Sequence, residues 1–466
     1  MKTRLIVIIL LLISFNCGLL TANTPISDFG WKAGVAKAVI TPTENIWLAG
    51  YGSRTKPAEG KLHDLWAKAL YLEDSTGYSV LLVTTDLLGF PKGLSDRIRN
   101  RISFALNLDF SQIILSSSHT HSGPVLPEAL NNIYPLDEEQ KLKIEKYAVW
   151  LEDQIVTLSK QSRDSLRPAK LYVGNGAVRF QVNRRNNSEA DIHKLNELKG
   201  PNDYSVPVLK VEHEDGNPAV ILFGYACHPT VLNGYQWSGD YPGYAQLKIE
   251  DIYDGATAMF FQGAGADQNP LPRRTIPLAK QYGLELAASV ERVLSEEMVC
   301  LSPTIKTVYN EIELPLDLPL SIDELKKVSE ENTGYIKNWA CETMDKIQNG
   351  DYLPKSYPFP VQIWQLDTQL IAILGGEILT NYSIRLKEIL GHDTFIMGYS
   401  NDLMAYIPSE KVLEEGGYEG ETSQIVYGFH SKWKSGIEQA IIDAFIKMGH
   451  SQDLIQLNDS VSGASK

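Results

Sequence analysis

The chain has 466 residues, 43% hydrophobic and 21% charged, a globular composition long enough for one large domain or two ordinary ones. Its formal net charge of −14 argues against a nucleic-acid partner, which would need clustered Lys and Arg, and against attachment to anionic lipid by charge alone. Beyond the first two dozen residues only Cys227, Cys300 and Cys341 remain, with no Cys-x-x-Cys pair, so any metal must be held by His, carboxylate or Tyr.

The first two dozen residues stand apart. Lys2 and Arg4 precede an apolar run over 5–12, continued by Ile13-Ser14-Phe15. This is the pattern of a secretory signal, too short for a comfortable membrane span, and residues 1–22 are left out of the fold with cleavage expected near Thr21-Ala22. Cys17 offers a site for lipid attachment, although Phe15-Asn16 before it is a poor lipobox. The expectation is an exported protein, periplasmic or extracellular, with no transmembrane segment in the mature chain.

Period-2 alternation and turn residues predict strands over 34–40, 67–72 and 79–85, the last ending at Asp86. A helix over 91–106 leads to the apolar run Ile113-Ile114-Leu115, which runs into Ser116-Ser117-Ser118-His119-Thr120-His121-Ser122-Gly123-Pro124. An apolar run followed by Gly-Pro reads as a buried strand that ends in a loop. A long helix over 138–162, apolar on one side, and an extended stretch over 169–178 follow. The polar stretch 182–201 carries Asn183-Arg184-Arg185. A hairpin over 206–212 and 219–226 delivers Cys227-His228-Pro229, and a helix over 244–253 precedes the strand 256–262. That strand enters Gly263-Ala264-Gly265-Ala266-Asp267-Gln268-Asn269-Pro270. Then come a helix over 276–297, a strand over 305–314, a helical pair over 321–348 broken near Thr333-Gly334, and strands over 361–365 and 370–374. Gly375-Gly376-Glu377 opens a helix to Leu390, 395–397 is a short strand, 402–418 is loop, and an amphipathic helix over 426–448 closes the fold. Strands and helices alternate without repeat, low-complexity segment or linker, which predicts one α/β domain over 23–466 with mixed sheets covered by helices.

Several polar groups share one placement. Asp86, His119 with His121, His228, Asp267 with Asn269, and Glu377 each lie just after an apolar strand. Strand ends at one edge of an α/β sheet gather their loops into a crevice. Taken singly, each is more often structural. A lone His-x-His is commonly a hydrogen-bonded loop, a carboxylate opening a helix is favoured by the helix dipole, and Tyr406 and Tyr418 alone would be packing residues. Together, two or three imidazoles, a carboxylate and a phenol make an N/O ligand set that suits zinc.

At this point the residues resemble the neutral/alkaline ceramidase family, zinc-dependent amidases that cleave the N-acyl bond of ceramide. The likeness runs in order through Thr41-Pro42, Thr85-Asp86-Leu87, His119-Thr120-His121-Ser122-Gly123-Pro124 and Asn183-Arg184. It continues through His228-Pro229-Thr230, Ser238-Gly239-Asp240, Gly376-Glu377, and the late tyrosines in Ala405-Tyr406-Ile407 and Gly417-Tyr418-Glu419-Gly420. Agreement at several separated places in order is more specific than any one motif. The resemblance implies a ceramidase-like catalytic domain in which His119, His228, Glu377 and Tyr406 ligate Zn2+. It also implies that His121, Arg184 and Tyr418 act on the substrate carbonyl or its oxyanion.

Two departures shape the expectation. Where the family places its nucleophilic serine, this chain has Asn269 in Ala266-Asp267-Gln268-Asn269-Pro270. A carboxamide cannot attack a carbonyl as a serine alkoxide does, but it can donate a hydrogen bond to a substrate or oxyanion. Family ceramidases also carry an immunoglobulin-like domain after the catalytic one, whereas this chain closes soon after its last predicted helix, so a catalytic-domain-only relative is expected. The reading is an exported zinc-dependent hydrolase that cleaves an amide, the N-acyl bond, by metal-activated water. The alternatives are a zinc-dependent hydrolase or lyase acting on a glycan, and a zinc-binding protein without turnover. The partner is a small-molecule, lipid or glycan substrate, and the oligomeric state is left open.

Overall fold

A computed structural model describes residues 29–130 and 133–451 of the chain. The expected signal segment over 1–22 and Cys17 lie outside these residues. Among the described residues, nine strands form the main sheet. Across it run Ile113–Ser117, Ser79–Thr85, Trp66–Glu73, Trp31–Val39, Arg167–Ala177, Ser205–His213, Pro218–Tyr225 and Thr257–Gln262. Val299–Leu301 pairs on Arg167–Ala177. Pairing is antiparallel except at the two ends, where Ser79–Thr85 with Ile113–Ser117 and Pro218–Tyr225 with Thr257–Gln262 are parallel. A second sheet of four strands, Ile305–Pro315, Ser356–Leu366, Gln369–Leu374 and Phe395–Met397, lies against it.

The alternation of side chains along each strand explains the layering. Leu70, Leu72, Ile114 and Phe261 of the main sheet pack with Trp364, Ile371 and Met397 of the second, forming a dry core between the sheets. The alternate residues Ala69, Tyr71, Ile113 and Leu115 face the helices Lys92–Leu106 and Glu138–Asp164. Asp240–Ile252 and Ile276–Ser295 cover the rest of that face. On the far side, Leu370, Ala372 and Leu374 pack on Thr380–Leu390 and Ile437–Ser451. The layers are therefore helix, sheet, sheet, helix, an α/β fold with mixed sheets covered by helices. No described helix is long and apolar enough to cross a membrane.

Three expectations are corrected. Glu377 does not open a helix: with Ile378 it forms a two-residue strand parallel to Tyr406–Ile407, and the helix starts at Thr380. The stretch 402–418 is not all loop, for it contains that partner strand and the helix Glu410–Glu415, capped by Ser409. The closing helix does not begin at Val426. Ser423–Val426 is a short turn of helix, and Gly428 and Gly436, at φ 79° and 102°, hold an intervening loop before Ile437–Ser451. That loop carries Trp433, whose Nε1 donates to the Tyr406 carbonyl at 2.7 Å.

The two edges of the main sheet approach the same segment of the second. After Phe395–Met397, the Gly398 amide donates to Gln262 O at 2.9 Å and the Asn401 amide to Leu115 O at 2.7 Å. This clamp brings the end of the His119 strand and the end of the Thr257–Gln262 strand to one place. Asp402, next in the chain, is buried, and Tyr357 Oη donates to its Oδ2 at 2.7 Å. Burial pushes the Asp402 carboxyl up to about 7. Its folded pKa thus exceeds the unfolded value of about 3.9, so the native state keeps the proton longer. This contribution to stability is complete below about pH 4 and is lost as pH rises through about 7. Asp402→Asn, which keeps an acceptor for Tyr357, is expected to be more stable relative to the parent at pH 8 than at pH 5. Urea midpoints at the two pH values check this, and an unchanged difference would contradict it.

Candidate metal centre

His119 sits two residues beyond the strand Ile113–Ser117, in the left-handed region at φ 64°. The strand thus ends before the histidines, and a turn brings the rings of His119 and His121 together, with centroids 5.0 Å apart. His119 Nδ1 lies 2.7 Å from Leu88 O, and His228 Nδ1 lies 2.9 Å from Gly265 O. A carbonyl oxygen only accepts, so each Nδ1 carries a proton and each Nε2 is the nitrogen turned into the cluster. Both Nε2 atoms meet the same oxygen: Glu377 Oε2 is 3.2 Å from His119 Nε2 and 3.0 Å from His228 Nε2. Tyr406 Oη lies 3.3 Å from His228 Nε2, placed there because Tyr406 is the ladder partner of Glu377. Tyr427 Oη donates to the other carboxylate oxygen, Oε1.

These groups are dry, with His228 fully buried and Glu377 3% exposed. Burial pushes the His228 imidazole down to about 4, although Glu377 opposes this. Burial would raise the Glu377 carboxyl, but the charge and hydrogen bonds of His119 and His228 outweigh it and hold it well below the usual range. Between an ionised carboxylate and two imidazole Nε2 atoms there must be positive charge, either a proton on a ring or a cation among the three. The donor set fits zinc, which takes imidazole nitrogen and carboxylate oxygen in preference to nothing but oxygen. His119, His121 and His228 alone could hold a metal, their ring nitrogens lying within 4.8 Å of one another.

His121 differs from the other two. Its Nε2 is 3.3 Å from His119 Nε2, but its buried Nδ1 has no hydrogen-bond partner among the described residues. The ring is held by packing instead. Tyr51 lies at 4.8 Å between centroids, and a Cβ at Gly50, at φ 97°, would stand 2.4 Å from Nδ1. Burial and then the neighbouring histidines push its pKa well below the usual value. With Nε2 on His119 and Nδ1 without a partner, this ring can carry a proton on the nitrogen that faces away from His119.

Arg184 and Tyr418 flank Tyr406. Arg184 Nη2 donates to Tyr406 Oη at 3.1 Å and Nε to Glu419 Oε1 at 2.7 Å. Burial opposes its charge, but Tyr406 and Glu419 more than offset this. The Tyr418 ring, 45% exposed, lies 5.3 Å from that of Tyr406 between centroids. Asn269 stands on the short strand Gln268–Pro270, paired with Gln181–Asn183, and shares a groove of about 490 Å³ with Arg184 and Tyr418. Its Oδ1 is 3.5 Å from Thr230 Oγ1, the outer limit of a hydrogen bond. The structure thus brings His119, His121, His228, Glu377 and Tyr406 into one cluster, with Arg184 and Tyr418 against it and Asn269 along the groove.

Sequence reasoning missed the residues that hold this arrangement. Tyr427 lies in a stretch read as helix. Glu419 was only part of a motif, yet it bridges Arg184 and Arg185, accepting from Arg185 Nη1 at 2.7 Å. Asp267 was seen only as a polar group after a strand. Its Oδ1 accepts from Thr380 N at 3.0 Å and Oγ1 at 2.7 Å, its Oδ2 from Asn183 Nδ2 at 2.7 Å, and its carbonyl from Arg184 N at 2.8 Å. It ties the arginine loop, the Asn269 strand and the Glu377 segment together. The sequence signal for it was a lone Asp between small residues after an apolar strand, which does not name its partners.

A four-layer α/β fold with a buried imidazole, carboxylate and phenol cluster at its strand ends defines a candidate metal-centre protein. The family model described as neutral/alkaline non-lysosomal ceramidase, N-terminal, matches residues 31–267, half of the chain, and the chain belongs to that family. It is 26% identical over 276 residues to the neutral ceramidase of Pseudomonas aeruginosa, a match covering 55% of this chain and 39% of that protein. With the neutral ceramidase of Drosophila melanogaster it shares 24% over 255 residues, covering 52% of this chain and 34% of the relative. The matches thus span between about a third and two fifths of these relatives' length. The crystal structure of the Pseudomonas aeruginosa neutral ceramidase superposes with a TM-score of 0.71 over 91% of this chain and 75% of that one, at 19% identity, which shows a shared fold.

Asp267→Ala is expected to cost about 2–4 kcal/mol, because it leaves the Thr380 amide and Asn183 carboxamide without a buried acceptor. Urea denaturation measures the loss. A change below about 0.5 kcal/mol, the range of ordinary surface substitutions, would contradict the role given to Asp267.

Proposed function

We propose that this protein is a zinc-dependent amide hydrolase, with His119, His228, Glu377 and Tyr406 as the zinc ligands and His121 as the proton carrier. The observation that carries the reading is the meeting of His119 Nε2 and His228 Nε2 on one buried Glu377 oxygen, with both Nδ1 atoms already committed to carbonyls. The relatives are named neutral ceramidases, so an N-acyl amide is the proposed bond. The basic and apolar start of the chain supports export, with Cys17 as a candidate lipid site.

When bound, zinc supplies a Lewis acid for the carbonyl oxygen and lowers the pKa of a water to about 7. The chain's own groups do the rest. The Leu88 and Gly265 carbonyls fix the tautomers of His119 and His228, so that both Nε2 atoms stay available. Tyr427 holds Glu377 in place through its second oxygen. His121, with no partner on Nδ1, takes a proton from the attacking water and gives it to the leaving amine. The charged Arg184 guanidinium, with Tyr418 beside it, faces the negative charge that develops on the carbonyl oxygen. Asn269 serves as a hydrogen-bond donor to the substrate, with water rather than a side chain as the nucleophile.

His119→Ala and Glu377→Ala are each expected to lose zinc and amidase activity together, by elemental analysis and turnover of an N-acyl amide. Full zinc occupancy in either variant contradicts the ligand assignment. His121→Ala is expected to keep zinc while kcat falls by about 10²–10⁴-fold, the usual yield of general acid–base catalysis. Loss of zinc from that variant would make His121 a ligand instead.

A further inference from the structure

The groove beside the cluster is built for a different ligand from the one the family name suggests. Its walls include Arg184, Arg185, Asn187, Asn269, Arg273 and Tyr418, and no aliphatic side chain lines it. A long-chain lipid amide would need apolar wall for its chains, since binding there must replace water on hydrocarbon surface. Three arginines face Glu189 and Glu419 in this wall, a local excess of one positive charge in a chain that carries −14. Arg184 and Arg185 share Glu419, and Arg273 is paired with Glu189 through Nε at 3.0 Å and Nη2 at 2.6 Å. Two further guanidiniums near His121 have no carboxylate within salt-bridge distance among the described residues. Arg54 is buried and spends its donors on the carbonyls of Ala49, His121 and Gly234. Arg274 is exposed, at 3.0 Å from Tyr51 Oη, and Tyr51 packs on His121. Arg184 uses Nε and Nη2 on Glu419 and Tyr406, and Asn269 engages only its Oδ1, so Arg184 Nη1 and Asn269 Nδ2 have no partner among the described residues.

We propose that the substrate is a hydrophilic N-acyl compound that carries a carboxylate, of the N-acyl amino acid class, and that Arg274, next to Arg273 of the groove wall, reads the carboxylate. The proposal rests on the amide-hydrolase reading for the reaction but not for the binding. In the reaction, water adds to the acyl carbon, the C–N bond breaks, the acyl group leaves as a carboxylate and the nitrogen takes the proton. The Arg184 and Asn269 donors address the amide. Arg274 is exposed, follows Arg273 of the groove wall in the chain and makes no salt bridge among the described residues, its side chain bonding to Tyr51 Oη.

The test measures binding and turnover separately on the full chain loaded with zinc. The probes are N-acetyl-L-phenylalanine, its methylamide, and a short-chain ceramide in detergent micelles. Calorimetry is expected to show the carboxylate binding at least about tenfold more tightly than the methylamide, with the preference weakening as salt rises. Arg274→Gln is expected to erase the preference without changing thermal stability. Equal affinity for acid and methylamide overturns the proposal, as does an unchanged preference in Arg274→Gln or tighter binding of the ceramide. Preferential binding of the acid without turnover of any probe supports the proposal and rejects the hydrolase reading. Turnover of the ceramide with no preference for the acid does the reverse.

Discussion

The structure depends on one contact, the Glu377 carboxylate oxygen held against the Nε2 atoms of both His119 and His228. A buried carboxylate is costly unless positive charge lies beside it. Much of the surrounding chain is arranged to keep this contact. Leu88 and Gly265 take the Nδ1 protons, Tyr427 restrains the second carboxylate oxygen, and the two-residue ladder sets Tyr406 beside Glu377. Asp267 then fastens the segment that follows Glu377 to the loop that supplies Arg184. These are polar interactions in a dry interior, where each satisfied partner also raises the penalty for removing the next.

The fold explains how residues far apart in sequence reach this point. His119 comes from one edge strand of the main sheet, and His228 follows the strand next to the opposite edge. The segment after Phe395–Met397 bonds to both sides through Gly398 and Asn401. Two sheets facing each other make this possible, because the second sheet supplies the connecting segment while its own strand end leads into Glu377. The interior between the sheets is apolar, and the polar groups are confined to the strand ends, where backbone is free to turn.

Much of this was legible in the sequence. Strand alternation in 67–72, 79–85 and 370–374 already separated the two faces that pack on different layers, and the polar groups after apolar runs pointed to the cluster. The imidazoles and the carboxylate emerged from that placement. Tyr406 and Tyr418 came only from the family resemblance, since a tyrosine in a polar loop has no pattern of its own. What failed has physical reasons. Glu377 looked like a helix opening because a two-residue strand is too short to show alternation. The region around Val426 looked helical because its apolar residues keep helical spacing through Gly428 and Gly436, whose positive φ angles break it. Asp267 was visible but its partners were not, because they come from segments remote in the chain.

Asn269 lies along the groove, where the family resemblance expects a serine. The central claim is that a zinc ion lies among His119, His228, Glu377 and Tyr406. A crystal of the full chain grown with zinc, measured above and below the zinc absorption edge, tests it most directly. The account predicts one anomalous peak within coordination distance of His119 Nε2, His228 Nε2 and Glu377 Oε2. A zinc-replete crystal with no peak there, and Glu377 still in contact with both rings, would contradict it.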